Sequence, residues 1–328
     1  MFATAGIAAA VMALAAMAGL ITAGMPGRLD PRLLTIAAAA TEPAPGFSTH
    51  DFCTGDRTDT DDPCRFGADM PPGWVLWGDS HATALADALG AVAARQEISF
   101  VLRDSHACPP VPGIDILGQR ACRARNQRTL DRIIADPALT DIILVARYAA
   151  YLQGATSAFG PAESAMPFKV ADSRGQALSP SDAAAVMAGA LRRSVDRLLA
   201  AGRSVWVLYP VPEVGYDVPR VAGILVRRGL PPDDFTRPYT MYQQRQAAVI
   251  AMLNSLPPSP RLHRLYPDRV FCGAAPDRTA RCATMRGAIP LYRDGNHPSR
   301  AGARLIAALL AAPMAGSATD PVATAAKP

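Results

Sequence analysis

Four apolar residues, Trp74-Val75-Leu76-Trp77, stop at the polar tetrapeptide Gly78-Asp79-Ser80-His81, and the chain then continues as ATALADALGAVAAR to Arg95. An apolar run without polar alternation is the pattern of a parallel strand buried on both faces, and the Ala- and Leu-rich segment behind it is helix-forming. Ser80 is therefore expected at a strand-to-helix turn, facing the unpaired N–H groups of a helix start, where negative charge is stabilised. A serine there is placed to act as a nucleophile. The alternative is that Ser80 only caps the helix, since Ser and Asp are common caps.

The same alternation continues downstream. Strands are predicted at Ile98–Leu102, Asp141–Ala146, Ser204–Tyr209 and Arg261–Tyr266, and helices at Cys122–Ala135, from Ser179-Pro180 to Ala201, at Tyr239–Leu256 and from Ser299 or Arg300 to Ala312. Strand, helix, strand, helix is the signature of a doubly wound α/β fold with a mainly parallel sheet, whose ligand crevice lies at the carboxyl ends of the strands. Ser80, the Pro-rich loop 107–113 and Arg147 each follow such an end. The stretch from Tyr151 to Leu178 is weakly patterned and reads as an excursion over the crevice.

The N-terminus is of another kind. Met1 to Gly27 carries no charged side chain and Phe2 to Gly24 is almost wholly apolar, long enough for a bilayer core of about 30 Å. One transmembrane helix is expected over 1–24, then a linker over 25–50, the α/β domain over 51–313 and a disordered tail over 314–328. Arg28 and Arg32 follow the apolar segment, a placement typical of the cytoplasmic side. The cysteines point the other way. Cys53 and Cys64, Cys108 and Cys122, and Cys272 and Cys282 form three local pairs 11, 14 and 10 positions apart, with no CxxC unit. Six cysteines allow 15 connectivities, but this usage suits disulfides in an oxidising compartment better than zinc. We follow the cysteines and expect an extracytoplasmic domain on the inner membrane.

The formal charge of +5 is modest for 328 residues, and only Lys169 and Lys327 among the 33 basic residues are lysines. The arginines are scattered and no basic run interleaves with aromatics, so nucleic acid is not an expected partner. No cofactor or metal is expected.

Cleaving or transferring an ester needs a nucleophile, a base and a place for charge on the carbonyl oxygen. His297 is the candidate base, because Asp294 lies three residues ahead on one loop and can turn its carboxylate onto the imidazole edge. Leu76–His81 with GDSH, together with D-x-x-H-x-S before the last helix, resembles the SGNH (GDSL-type) hydrolases. The resemblance is closest to the extracytoplasmic SGNH domains of bacterial membrane O-acyltransferases that modify surface polysaccharides. Ala107–Gly113 (ACPPVPG), Ile143–Tyr151 (ILVARYAAY), Tyr209–Val218 (YPVPEVGYDV) and Asp294–Ala303 also carry it, over about Cys53 to Ala312.

That resemblance implies a three-layer sandwich with Ser80 as nucleophile, His297 as base and Asp294 as its orienter. It further implies acetyl or other acyl transfer to a cell-envelope glycan, with the acyl donor supplied by a membrane acyltransferase domain or partner. Its oxyanion positions transfer poorly: Gly113 stands for the usual glycine, Arg147 and Tyr148 occupy the place of an asparagine, and Asn126 is a second candidate. His81 and His106 are read as walls of the crevice. Met1 to Gly24 looks like the last membrane helix of such a fused protein. Three alternatives remain: an esterase using the same three residues, a metal-dependent phosphoesterase built on Asp79-x-His81 and Asn296-His297, and a non-catalytic partner of a membrane acyltransferase.

Overall fold

The computed structural model describes residues 2–22, 26–41, 64–154, 168–172 and 174–318. The chain opens with helices α1 (Phe2–Ile21) and α2 (Pro31–Thr41), then strands β1 (Arg65–Gly67) and β2 (Trp74–Gly78). Helix α3 (Ser80–Arg95), β3 (Ser99–Asp104), β4 (Asp115–Ile116), α4 (Cys122–Ala135), β5 (Asp141–Val145) and α5 (Tyr148–Gln153) follow. Next come β6 (Val170–Ala171), α6 (Pro180–Ala200), β7 (Ser204–Leu208), α7 (Val218–Arg227), β8 (Thr236–Pro238) and α8 (Tyr239–Asn254). The last part holds β9 (Leu262–Leu265), α9 (Asp268–Cys272), β10 (Arg281–Ala283), β11 (Met285–Arg286), β12 (Ile289–Pro290) and α10 (Arg300–Ala318).

Six strands form one sheet in the order β1-β3-β2-β5-β7-β9. All its neighbours pair in parallel except β1, which runs antiparallel along β3. The chain adds β3 on one side of β2 and then crosses over to add β5, β7 and β9 on the other. That reversal opens a crevice at the carboxyl end of β2, the place where open α/β sheets bind ligands. All five residues of β2 are buried. Trp74 and Leu76 enter the core under α3, α7 and α10, whereas Val75 and Trp77 enter the core under α4, α6 and α8. The period of two between faces produces three layers from one apolar run, and each large side chain so buried contributes about 1.5–3 kcal/mol.

Two of the glycines required by close approach lie next to Ser80 and His297 in the fold. A Cβ at Gly78 would lie 1.9 Å from the Val145 carbonyl oxygen and 2.8 Å from the Ala82 Cβ, so β2 can pass β5 and turn into α3 only without a side chain there. A Cβ at Gly302 would lie 2.1 Å from the Leu291 carbonyl oxygen. It lets α10 close down on the segment that carries Asp294 and His297.

The structure departs from the sequence expectations in five places. The stretch 25–50, expected to be a linker, contains α2: the Asp30 carboxylate accepts the Arg32 N–H at 2.8 Å, and Ile36 and Ala39 are buried against the domain. The segment before Pro72 contributes the edge strand β1, with Phe66 stacked on Phe100. Val218–Arg227 is a helix capped by Asp217, whose carboxylate accepts the Arg220 N–H at 2.8 Å, with a proline in its first turn. Helix α10 continues beyond residue 313 to Ala318 with Pro313 inside it, because Met314 is fully buried and keeps the turn packed. The flanks of the expected excursion are ordered as α5 and β6, β6 pairing with β4; its centre, residues 155–167, lies outside the described residues. Among the described residues no helix is long and apolar enough to cross a membrane, so the fold does not establish the span expected over 1–24.

Cys108 is bonded to Cys122 and Cys272 to Cys282. Cys64 is also disulfide-bonded, and its expected pairing with Cys53 lies outside the described residues.

Candidate active site

Helix α3 is capped by Asp79, not Ser80. The Asp79 carboxylate accepts the His81 N–H at 2.9 Å, which leaves the Ser80 hydroxyl free of a capping role. That hydroxyl lies 2.9 Å from His297 Nε2, a partner 217 positions later in the chain. On its other edge His297 Nδ1 lies 2.7 Å from Asp294 Oδ2. Asp294 Oδ1 accepts the backbone N–H groups of Asn296 and His297, each at 2.8 Å. Burial works against charge on Asp294, but the His297 hydrogen bond and charge and those two N–H groups outweigh it and hold the carboxyl well below its ordinary range. With Asp294 ionised, the tautomer that donates from Nδ1 to it leaves Nε2 as an acceptor for the Ser80 hydroxyl.

The loop bearing Asp294 and His297 is fastened from several sides. Val214 N–H donates to the Gly295 carbonyl at 2.8 Å, Val218 N–H to the Asp294 carbonyl at 3.3 Å and Arg293 N–H to the His297 carbonyl at 3.0 Å. The buried His81 adds a further tie, its Nε2 lying 3.0 Å from Asn296 Oδ1. Burial and the nearby His297 lower the pKa of His81, so at neutral pH it is an uncharged neighbour. His106 is exposed on the loop after β3.

Below the serine lies a second polar cluster. Asp79 Oδ2 accepts the Arg147 backbone N–H at 2.9 Å and the Tyr151 hydroxyl at 2.7 Å. Burial and the Asp79 charge push the Tyr151 phenol well above its ordinary pKa, so it stays a donor. The Arg147 guanidinium donates to Glu213 Oε2 at 2.7 Å. Glu213 Oε1 accepts from Arg245 at 3.2 Å and from Gln246 at 3.1 Å. Although burial opposes charge on Glu213, the two guanidiniums bring its carboxyl down to about 2.

Arg147, expected as an oxyanion donor, has its charge matched to a carboxylate only 2% exposed. Asn126 is likewise occupied. Its amide donates to the Pro109 carbonyl at 2.7 Å and to Cys108 Sγ at 3.3 Å, and its oxygen accepts from Trp77 Nε1 at 3.2 Å. Gly113 lies in the Pro-rich loop at φ +88° with open space around it. Sequence reading missed Glu213 and Arg245, because their partners come from β5, the loop after β7 and α8, and no local spacing announces such a meeting. Among the described residues no three His, Cys, Asp or Glu side chains group so as to hold a metal ion.

Comparison with known families supplies the deciding observation. The family model for the SGNH domain (fused to AT3 domains) matches residues 51–312, well over half of the chain. The chain belongs to the SGNH family. Among solved structures, the SGNH chain is similar to the periplasmic domain of a lipopolysaccharide acetyltransferase from Salmonella ser. Paratyphi A. The two share 14% identity at a TM-score of 0.51, over 74% of this chain and 84% of that one. It also matches a GDSL-like lipase from Bacteroides thetaiotaomicron at 9% identity and a TM-score of 0.43, over 74% of this chain and 88% of that one. A comparison with curated proteins finds no match. The α/β SGNH fold with its mainly parallel sheet supports acyl transfer or ester hydrolysis as the general chemistry.

Proposed function

We propose that the protein transfers an acyl group, most simply acetyl, to sugar hydroxyls of a cell-envelope polysaccharide through an ester on Ser80. The observation that carries this reading is the unbroken hydrogen-bonded chain from Ser80 through His297 to Asp294. The Ser80 oxygen attacks the donor carbonyl while its proton passes to His297 Nε2, and the same proton then leaves with the donor's departing group. In the second half an acceptor hydroxyl gives its proton to His297 as its oxygen takes the acyl group, and the Ser80 oxygen recovers a proton. Asp294 orients the imidazole and stabilises its charged form. The Ser80 backbone N–H, in the first turn of α3 where helical N–H groups lack a carbonyl partner, is one donor to the oxyanion, and Gly113 is the candidate for another. Neither Arg147 nor Asn126 is retained for that role.

The acyl donor comes from a membrane acyltransferase domain or partner, in keeping with a family whose SGNH domains are fused to AT3 domains. Two described disulfides support an extracytoplasmic location. A membrane anchor at α1 is supported by its uncharged sequence and by the exposure of Ile7, Val11, Leu14 and Leu20, at 59–82%. An esterase would use the same residues, with water in place of the sugar.

The test is to expose the full chain to an activated acetyl ester and examine its peptides by mass spectrometry. An acetyl group on Ser80 that vanishes in His297→Ala, and that a sugar oligomer removes faster than water does, is the expected result. Acetylation elsewhere, or none, would sink the proposal; release by water alone would make the protein an esterase.

A further inference from the structure

A groove lined by β1, α3 and α10 runs along the outer seam of α3 and α10. It has a volume of 730 Å³, within the range of pockets that hold sizeable ligands. Both helices begin at the active site, α3 with Ser80 and α10 with Arg300, three residues after His297. On α10 the lining begins at Arg300, at the end of the helix nearest His297, and on α3 at Asp87, seven residues past Ser80; from Arg300 to Ala311 it extends for about 16 Å of helical rise.

Its chemistry is one-sided. The floor consists of Phe66 and of alanine methyl groups such as Ala88, Ala91, Ala303 and Ala308. Around it stand Arg65 from β1, Arg95 from the end of α3, and Arg300 and Arg304 from one face of α10, against the single carboxylate of Asp87. Arg300 and Asp87 have partners of their own, whereas Arg65, Arg95 and Arg304 reach into solvent. Guanidinium groups are suited to paired hydrogen bonds with carboxylate and phosphate oxygens. Three of them on a shallow apolar track match a chain that carries repeated anionic groups. A bilayer surface is a poorer occupant, because none of the large apolar side chains exposed among the described residues belongs to this groove.

We propose that this groove binds an anionic polysaccharide, a sugar chain bearing carboxylate or phosphate groups, and feeds one of its hydroxyls to Ser80. The inference deepens the acyltransferase reading and rests on it for the identity of the polymer as acceptor.

Binding is measured by calorimetry on the full chain in detergent micelles at low ionic strength, with tetragalacturonate as probe and maltotetraose as its neutral counterpart. Tetragalacturonate is expected to bind at least about tenfold more tightly than maltotetraose, and the exposed pair Arg95→Glu/Arg304→Glu to lose that advantage. Ser80→Ala, which cannot form the acyl intermediate, is expected to keep the binding. Retention in Ser80→Ala alongside a failure to acetylate Ser80 in wild type would uphold the groove while the acyl-transfer reading fell. Equal affinity for the two oligomers, or a preference that survives the double charge reversal, would overturn the proposal. So would arginine-dependent binding to phosphatidylglycerol vesicles without any to tetragalacturonate, which would make the groove a lipid-facing surface.

Discussion

Two carboxylates at the carboxyl edge of the sheet, Asp294 and Glu213, are both held ionised, and they differ in what holds them. Asp294 faces an imidazole, a partner that can take or release a proton, and its side chain is 37% exposed. Glu213 faces two guanidiniums that never deprotonate and is 2% exposed. The first pair can store charge during a reaction. The second keeps its charges at neutral pH and ties the loop after β5, the loop after β7 and α8 together. Arg147, although it follows a strand end beside Ser80, is engaged by Glu213, and moving it would leave that carboxylate short of a partner.

The largest effect that tests this contrast falls on the Asp294 side. Ser80→Ala is expected to cut turnover of an activated ester by about 10⁴-fold or more while the denaturation midpoint barely moves, because the hydroxyl lies at a partly open surface. A large loss of stability would mean that the serine is structural. On the Glu213 side the effects should trade places. Glu213→Ala leaves Arg147 and Arg245 as buried charges without their carboxylate and should cost about 3–5 kcal/mol in denaturant unfolding. Arg147→Met should resemble that variant, with stability falling more than turnover; a collapse in turnover at unchanged stability would restore Arg147 to the oxyanion.

The pH dependence sharpens the same contrast. Glu213 drops from an ordinary 4.5 to about 2 on folding, so its contribution is present above about pH 4.5 and is lost as the pH falls toward 2. Glu213→Gln should flatten the acid limb of a stability curve over that window. Asp104, next to Gly78 in the register of β3 and β2, behaves in the opposite sense. Its Oδ2 accepts from Thr83 at 2.6 Å while its Oδ1 is buried without a partner. Burial raises its carboxyl from 3.8 to about 6, so the stability tied to its protonated form is complete below pH 3.8 and is lost as the pH rises through 6. The smallest expected effect follows: Asp104→Asn, which keeps an acceptor for Thr83, should gain up to about 3 kcal/mol at neutral pH relative to wild type and nothing at pH 3.5. An equal gain at both values, measured by urea unfolding, would show that Asp104 is not protonated in the way described.

Much of the framework was legible because its signals are local. The central strands β2, β5 and β7 carry unbroken apolar runs, α6 is announced by Ser179-Pro180 and α3 by Gly78-Asp79-Ser80-His81. The D-x-x-H spacing is also local, so Asp294 and His297 could be paired from the sequence. Helix α2 was obscured by its alanine-rich, proline-flanked composition, since its stability comes from burying Ile36 against the domain rather than from a strong pattern of its own. The termination of α10 was misjudged for a related reason: Pro313 ordinarily ends a helix, but the buried Met314 carries it on.

The sequence by itself determined the chemistry that needs only neighbours: a glycine that admits a tight turn, an acidic cap, a serine after a strand and a carboxylate three residues from a histidine. Tertiary structure alone decided which atoms those groups meet. It gave the cap to Asp79 and the hydroxyl of Ser80 to His297, 217 positions away. It also closed Arg147 onto Glu213 and laid α3 beside α10 to line an arginine-rimmed groove. Turns and caps are written in consecutive residues because their hydrogen bonds close within a few positions. A buried ion pair or a crevice depends on which strands become neighbours, and that is settled by the packing of the whole core.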